Sequence, residues 1–227
     1  MPTSPVPPTP KPSPSPSPRL PSGRHGLSRE AVVASQRARL IDAMAQTVAE
    51  KGYAATTVAD VVERAGVSRR TFYEQFSDKE ACFLACYDAG LAAVLNRIGG
   101  AVEGNASGSW RDRARSGVEA FLALLASEPA FARALQIEIL TAGPAALDRR
   151  AGMLAMFGGI WRNVHDRARA EDPGLAELPD DVFTILAAGL EELIRECLRT
   201  RGPTALPDLA DPILRTVFAI FGAAAAR

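Results

Sequence analysis

The sequence predicts an all-α fold of about nine helices. From residue 28 to about residue 225, apolar residues recur with helical spacing, and from Lys79 onward no segment alternates as a strand does. Glycine and proline mark the expected helix ends, as at Gly66, Gly143-Pro144 and Gly202-Pro203. With 227 residues, of which 47% are hydrophobic, the chain can build one medium core or two small ones.

The chain opens with a low-complexity tail of repeated Pro-Ser over residues 1–27. This composition cannot bury enough apolar surface to fold, so we expect a disordered extension. The tail carries Lys11, Arg19 and Arg24 and no acidic residue, so an arm that follows a nucleic-acid backbone is the alternative. The first helix is predicted over residues 28–50.

Two short helices joined by a tight turn follow. Thr57 is suited to cap the first of them, with Asp60 three residues later reaching back to the exposed amides. Gly66 stands where that helix must end in a left-handed conformation. In the second helix Phe72 and Phe76 are four residues apart and face inward. This pattern predicts a helix-turn-helix.

The outward face of the second helix carries the chemistry. Arg69 and Arg70 occupy its first turn, directly after the cap Ser68, where the helix dipole disfavours cations. A polyanion at this helix end reverses that penalty, and an arginine can pair with guanine O6 and N7. Thr71 can touch a thymine methyl or a phosphate, and the Tyr73 hydroxyl can reach a phosphate. The sequence therefore predicts a helix that enters the major groove of DNA.

The next residues predict a further phosphate contact. Ser77-Asp78-Lys79-Glu80 is interpreted as a capping box, with Lys79 and the free amides forming a phosphate clamp. Glu74 is an acid on the outward face of the recognition helix. It would either accept a hydrogen bond from a cytosine amino group or stay clear of the phosphates. Arg37 and Arg39 of the first helix are weaker candidates for backbone contacts.

Residues 52–80 resemble the DNA-binding domain of the tetracycline-repressor (TetR) family of bacterial transcription regulators. The resemblance covers about residues 35–90, where helix 1, the turn, Thr-Phe-Tyr (71–73) and Asp-Lys-Glu (78–80) fall in the family's order. It implies a helix-turn-helix domain over 28–78 and a helical ligand-binding and dimerisation domain over 79–227. By position, the DNA contacts that it implies are Thr57, Arg69, Arg70, Thr71, Tyr73, Gln75 and Lys79.

Six more helices are predicted after the helix-turn-helix. Helix 4 starts at Lys79 and ends at about Ile98, and Gly99-Gly100 belongs to the loop that follows. The remaining helices are expected from about Trp110 to before Glu128, from Pro129 to before Gly143, and over about 145–171, 180–200 and 209–225.

The last two helices predict a homodimer. Helix 8 is apolar over an arc wider than one core face needs, and helix 9 repeats the pattern. A second copy of the same helix pair would cover the outer faces and give a four-helix interface. A two-fold dimer would present its recognition helices about 34–36 Å apart, which fits a palindromic site.

The middle helices are predicted to hold a small-molecule effector. Their aromatic and sulfur-bearing side chains are typical of apolar ligand pockets, although an ordinary core explains the same residues. The candidates are Phe121, Leu125, Phe131, Leu135, Glu138, Met153, Met156, Phe157, Trp161 and Phe183.

Composition narrows the functional class. Residues 1–80 hold eleven Lys/Arg against eight Asp/Glu, while the rest of the chain holds fifteen against eighteen, so only the amino-terminal end is mildly basic. Cys82, Cys86 and Cys197 form no disulfide framework and predict a reducing compartment. We find no apolar run long enough for a membrane span and no signal peptide, so a cytoplasmic location is expected.

Function follows from these features. We expect a dimeric, ligand-responsive transcriptional repressor that binds a palindromic operator and is released by a small-molecule effector. The alternative is a small-molecule-binding helical protein with a vestigial DNA-binding domain. With two histidines and no nucleophile elbow, phosphate loop or metal-ligand spacing, the sequence predicts no enzyme, no metal and no cofactor.

Overall fold

The computed structural model describes residues 28–223, which form an all-helical fold. The amino-terminal tail (1–27) and residues 224–227, including the expected end of the last helix, lie outside this range. A 3-10 turn at Glu138–Leu140 follows α6, and a 3-10 segment at Pro203–Leu209 precedes α9. The nine α-helices of the described range are α1 (Arg29–Lys51), α2 (Val58–Ala65), α3 (Arg69–Gln75), α4 (Lys79–Gly104), α5 (Trp110–Ser127), α6 (Pro129–Gln136), α7 (Pro144–Glu171), α8 (Asp180–Thr200) and α9 (Ala210–Ala223).

The helix-turn-helix is built from local caps, as its sequence predicts. The Thr57 hydroxyl and the Asp60 carboxylate form a reciprocal capping box at the start of α2. Gly66 ends α2 in the left-handed region, with φ 62° and ψ 40°. Ser68 caps α3 by accepting a hydrogen bond from the Thr71 amide. Phe72 of α3 is fully buried and anchors this unit against the core.

Two expectations about α4 are wrong. Its cap is Asp78, whose side chain accepts from the Ala81 amide, whereas the Ser77 hydroxyl donates to Asp78 instead of capping the helix. The helix also continues through Gly99-Gly100, which the sequence analysis placed in a loop. Ile98 and Val102, on either side of this pair, pack against Gly117 of α5, and this contact stabilises the helix across its two weakest residues.

By length and composition α4 also meets the requirement for a membrane-spanning helix. No membrane span is predicted from the sequence, in which Asp88 and Arg97 interrupt the apolar residues of this helix. In the fold α4 packs against α1, α5 and α6, and Asp88 accepts a hydrogen bond of 2.7 Å from Arg149 of α7. These contacts hold α4 within the helical fold, where 33% of its apolar window is buried, and a core helix passes the same test of length and composition.

Helices α4 to α9 enclose the carboxyl-terminal part of the apolar core, and α7 and α8 pack side by side within it. A Cβ atom at Gly158 of α7 would lie 3.6 Å from the Phe183 carbonyl oxygen of α8, so this glycine permits close helix contact. Arg150 of α7 forms an ion pair with Glu191 of α8 farther along the same contact. Trp110 and Phe221, both buried, join α5 to α9 with ring centroids 5.7 Å apart.

Candidate DNA-binding surface and ligand cavity

The start of α3 presents its polar side chains to solvent. Arg69 and Arg70 are exposed, and 89% of the Arg70 side chain is accessible. Tyr73 is 56% exposed although it is aromatic, with its ring edge-on to the buried Phe72 ring at 5.4 Å. Ser68 accepts a hydrogen bond from the Thr71 amide, and the Arg69 and Arg70 side chains lie exposed beside this capped helix end. We call Arg69, Arg70 and Tyr73 the reading surface.

Glu74 lies within this surface and holds one of its arginines. Its Oε1 accepts a hydrogen bond of 2.9 Å from Arg70 Nε, one helical turn away. An exposed pair of this kind contributes only about 0.3–0.5 kcal/mol, so a phosphate or a base can displace it at little cost. In the absence of DNA, Glu74 therefore forms an ion pair with Arg70 within the same helix.

We expect Glu74→Gln to bind duplex DNA several-fold more tightly at low ionic strength. The substitution removes a negative charge that faces the phosphates and releases Arg70 from its partner. Gel-shift titrations at two salt concentrations measure the effect, which should shrink as salt rises. Glu103→Gln, an exposed carboxylate near the far end of α4, controls for the loss of one charge. Unchanged or weaker binding by Glu74→Gln would mean that this carboxylate orients Arg70 for binding or contacts a base itself.

Three of the other DNA-contact candidates are already engaged by the protein. The Thr57 amide and hydroxyl both donate to Asp60, at 2.9 and 2.8 Å. These hydrogen bonds, after one from Lys51, lower the pKa of Asp60 to about 2. The Thr71 hydroxyl lies 2.9 Å from the Ser68 hydroxyl. Gln75 is half-buried, and its backbone carbonyl accepts a hydrogen bond from the Arg37 side chain.

Arg37 and Arg39 stabilise the helix-turn-helix from behind. Arg37 donates to the carbonyl of Gln75 at 3.2 Å and stacks over Phe76 at 4.4 Å, while Arg39 donates to the carbonyl of Ala65 at 3.1 Å. Both carbonyls lie at helix carboxyl ends, where a cation is favoured. We therefore assign these arginines to packing of α2 and α3 against α1 rather than to the DNA backbone.

Lys79 is turned toward the connector between α1 and α2. Its Nζ donates to the Tyr53 carbonyl at 3.0 Å and lies 4.2 Å from the centre of the Tyr53 ring. On the other side of the same residue, Glu138 Oε2 accepts from the Tyr53 amide at 2.8 Å. Glu138 is 6% exposed and pairs with Arg133 at 2.8 Å. We call this arrangement of Tyr53, Lys79, Glu138 and Arg133 the connector clamp.

Gly52 fits the connector clamp for two reasons. Its φ of 78° lies in a region that other residues rarely adopt, and a Cβ atom there would lie 3.4 Å from Glu138 Oε2. The carboxylate and the connector can therefore approach closely. No local pattern indicates this contact, because Tyr53 and Glu138 are 85 positions apart in the chain.

A cavity of about 130 Å³ lies among α4 to α9. Most of its walls are apolar and aromatic, with Leu91, Val94 and Phe157 as examples. Of the ten candidates from the sequence, five line it: Phe121, Leu135, Met153, Phe157 and Trp161.

The other five candidates lie elsewhere. Leu125 and Phe183 are 2% exposed and belong to the solid core, where Phe183 packs near the rings of His165 and Phe221. Phe131 packs on Gly90, Met156 is half-buried beside the core, and Glu138 is in the connector clamp. The presence of an aromatic or sulfur-bearing residue on these helices does not distinguish a cavity wall from a filled core, which is why only half of the set lines this cavity.

Several lining residues were missed. The inner face of α4 contributes Tyr87, Leu91, Val94 and Ile98, whose spacing the sequence displays but which we had assigned to no site. Polar groups also line the cavity, namely Arg113, Gln136, Arg167 and Glu191.

The cysteines and potential metal ligands offer no further site. Cys82, Cys86 and Cys197 are free and buried, and burial raises the pKa of the Cys82 thiol to about 12. A buried protonated thiol is a poor nucleophile and a poor redox sensor. Among residues 28–223 there is no group of three or more His, Cys, Asp or Glu side chains that could hold a metal ion.

Comparison with known proteins identifies the amino-terminal part. Residues 40–86 match the profile of the family described as "Bacterial regulatory proteins, tetR family". The chain is also 34% identical over 121 residues to the HTH-type transcriptional regulator EthR of Mycolicibacterium smegmatis, a match that spans 51% of this chain and 52% of that relative. Residues 40–86 therefore form the amino-terminal domain of a TetR-type regulator, and the chain spans about half the length of this curated relative. The TetR match begins within α1 and ends within α4, so it contains the whole reading surface.

Solved structures extend the likeness to the fold of the remaining helices. The fatty acid degradation regulator FadR of Bacillus halodurans superposes with a TM-score of 0.72 at 18% identity, covering 80% of this chain and 94% of FadR. FadR of Bacillus subtilis, solved in complex with stearoyl-CoA, gives a TM-score of 0.70 at 17% identity, covering 79% and 96%. At these identities the likeness concerns the fold, which is that of TetR-family regulators throughout.

Proposed function

We propose that this protein is a ligand-responsive transcriptional repressor of the TetR family that binds a palindromic operator as a dimer in the cytoplasm. The observation that carries the proposal is the reading surface, whose two exposed arginines stand at a helix start that disfavours cations unless an anion is present. Such exposure argues against the alternative, a ligand-binding protein with a vestigial front domain. We propose the division between the DNA-binding and ligand-binding domains at residues 78/79, where α4 begins.

The residues proposed to contact DNA differ in how far the protein itself already engages them. Arg69, Arg70 and Tyr73 stand exposed for the major groove and its flanking phosphates. Thr57, Thr71 and Gln75 would contact DNA from positions that the fold already holds. Lys79 would act chiefly through the connector clamp, which fixes the position of α2 and α3 relative to α4.

The cavity is the proposed effector site. Its apolar lining favours an apolar ligand, and the stearoyl-CoA complex of Bacillus subtilis FadR makes a long acyl chain one candidate class. Leu135 and Gln136 line the cavity, and Glu138 of the connector clamp is two residues farther along the chain. A ligand that favours one position of α6 would thereby change the position of the connector and weaken operator binding. Such coupling requires unequal ligand affinity for the two states.

A gel shift with the DNA upstream of the protein's own gene tests this function. We expect the wild-type protein to shift this fragment with two chains per site, and Tyr73→Phe to bind more weakly because it loses a phosphate contact. A fragment of equal length and unrelated sequence is the control. Equal affinity for both fragments would refute an operator within that region.

The proposed dimer uses the outer faces of α8 and α9. Ile185 of α8 is 68% exposed and Leu193 is 39% exposed, and no atom lies within 4 Å of a Cβ built at Gly189 between them. Most of the apolar arc expected on α9 is instead buried within the subunit, as for Ile213 and Val217. The surface left for a second copy is therefore narrower than the sequence predicted and centres on α8.

We expect Ile185→Glu to convert the dimer into monomers at micromolar concentration, because it buries an unpaired charge at the centre of the interface. Sedimentation velocity measures the change, and operator affinity should fall with it. Val33→Glu on α1, a residue that is 39% exposed, is the matched control and should stay dimeric. A dimeric Ile185→Glu protein would locate the interface elsewhere.

A further inference from the structure

Two of the residues that line the cavity carry buried polar atoms that have no partner. Tyr87 Oη and Gln136 Oε1 are buried and make no hydrogen bond in the fold. Tyr87 is fully buried and Gln136 is 4% exposed, and both side chains line the cavity. Buried polar groups in native proteins are nearly always paired, so two orphans on one cavity indicate that something else completes them.

The protein holds one of these residues in place by its main chain. Arg195 Nε of α8 donates to the Gln136 carbonyl at 2.9 Å, which fixes the end of α6 against α8. The Gln136 side chain is therefore presented from a fixed backbone. Because it is an amide, it offers both a donor and an acceptor, whichever way its terminal group is turned. The Tyr87 phenol likewise can donate and accept.

A neighbouring carboxylate determines which charge is tolerated. Glu191 is 5% exposed and lines the same cavity. Both of its oxygens are occupied by Arg150, at 3.1 and 2.7 Å, and Arg195 lies 3.3 Å from it. Burial, then the charge of Glu191, raises the pKa of the Tyr87 phenol, so the phenol remains neutral. An anionic ligand group beside Tyr87 and Gln136 would face Glu191, whose ion pairs with Arg150 and Arg195 are already formed, although Arg195 Nη2 donates no hydrogen bond. Of the two other arginines that line the cavity, Arg113 pairs with Glu171 and Arg167 is exposed.

We propose that the cavity binds an apolar molecule that carries one uncharged group able both to donate and to accept a hydrogen bond, a hydroxyl or a carboxamide, which pairs with Tyr87 and Gln136. The remaining walls, including Val94, Phe121 and Phe157, hold its apolar body. The inference rests on the proposed function only in treating this cavity as the effector site. It goes beyond that function by stating which chemical group the effector presents.

The chain provides its own reporter for a test. It contains two tryptophans, Trp110 and Trp161, and both line the cavity. Tryptophan fluorescence of the full-length protein, without DNA, can therefore follow the binding of four probes of matched shape: 2-phenylethanol, phenylacetamide, phenylacetate and ethylbenzene. Phenylacetate is ionised at neutral pH, and ethylbenzene has no polar group.

We expect 2-phenylethanol or phenylacetamide to bind about tenfold more tightly than phenylacetate and ethylbenzene. The stronger of the two identifies the group as hydroxyl or carboxamide. Tyr87→Phe and Gln136→Leu should each weaken the polar probes about fivefold and leave ethylbenzene unchanged. Met153→Leu, an apolar change in the same wall, should affect all four probes alike. Tyr87→Phe should fold with undiminished stability, because it removes an unpaired polar atom.

Three results would overturn the inference. They are phenylacetate binding as tightly as 2-phenylethanol, polar probes that bind Tyr87→Phe and Gln136→Leu as they bind wild type, and the absence of binding by all four probes. Each can occur while the protein still shifts its operator, so the inference can fail alone. A protein that binds the polar probes as described but ignores all duplex DNA would instead refute the proposed function.

Discussion

The double substitution Arg69→Ala/Arg70→Ala should lower operator affinity by about 100-fold or more. Arg70 paired with a guanine contributes about 1–3 kcal/mol of base discrimination, and each lost phosphate contact adds to the deficit. The fold should be unaffected, because both side chains are exposed and the only ion pair lost is the one between Arg70 and Glu74. Fluorescence anisotropy with a labelled operator measures the affinity, and thermal unfolding checks the fold.

The control for this double variant is Arg97→Ala, which removes an exposed arginine from the far half of α4. It should bind the operator as wild type does. If the double variant also binds like wild type while melting at the same temperature, α3 is not the element that reads DNA. A loss of affinity that is equal for operator and random duplex would assign both arginines to phosphates alone.

The second large effect concerns the connector clamp. Glu138→Ala leaves the buried Tyr53 amide without its acceptor and Arg133 without its ion pair. We expect it to destabilise the protein by about 1–3 kcal/mol and to lower operator affinity more than tenfold. The reason for the second effect is that the connector positions α2 and α3. Urea unfolding and gel shifts on the same preparation measure the two quantities.

Two further variants separate the hydrogen bond from the ion pair. Glu138→Gln keeps an acceptor for the Tyr53 amide and should retain most of the DNA affinity. Arg133→Gln breaks a pair whose arginine is 45% exposed and should cost less than about 1 kcal/mol. A Glu138→Ala protein that melts and binds like wild type would show that the connector is held by other contacts, foremost the bond from Lys79.

The helix-turn-helix was predictable because its determinants are local. The caps Thr57 and Ser68 and the left-handed Gly66 act within three or four residues of themselves, and the structure confirms each of them. Two features of α4 were not predicted correctly, namely its amino-terminal cap, Asp78, and its continuation through Gly99-Gly100. In the second case packing of α4 against Gly117 of α5 outweighs local propensity, and one sequence does not display that contact.

The same difference between local and distant determinants explains which residues of the candidate sites could be predicted. The exposed arginines of α3 follow from helix periodicity, so the sequence located them. For Lys79 and Glu138 the sequence predicts contacts with phosphate and with ligand, but it does not predict that both contact Tyr53, a partner distant in sequence. The orphan atoms of Tyr87 and Gln136 are defined by what surrounds them in three dimensions. Hydrogen bonds between helices, and buried polar atoms that lack a hydrogen-bond partner, depend on how the helices pack. Periodicity alone does not specify that packing.

The most direct test of the central claim is the salt dependence of wild-type affinity for the upstream DNA. With two exposed arginines per subunit and two subunits, log K should fall against log salt concentration with a slope between about −2, where Arg70 contacts a base, and about −4, where all four arginines contact phosphates. A slope near zero, or no binding to any duplex at low ionic strength, would contradict the claim that a nucleic acid completes the cationic start of α3.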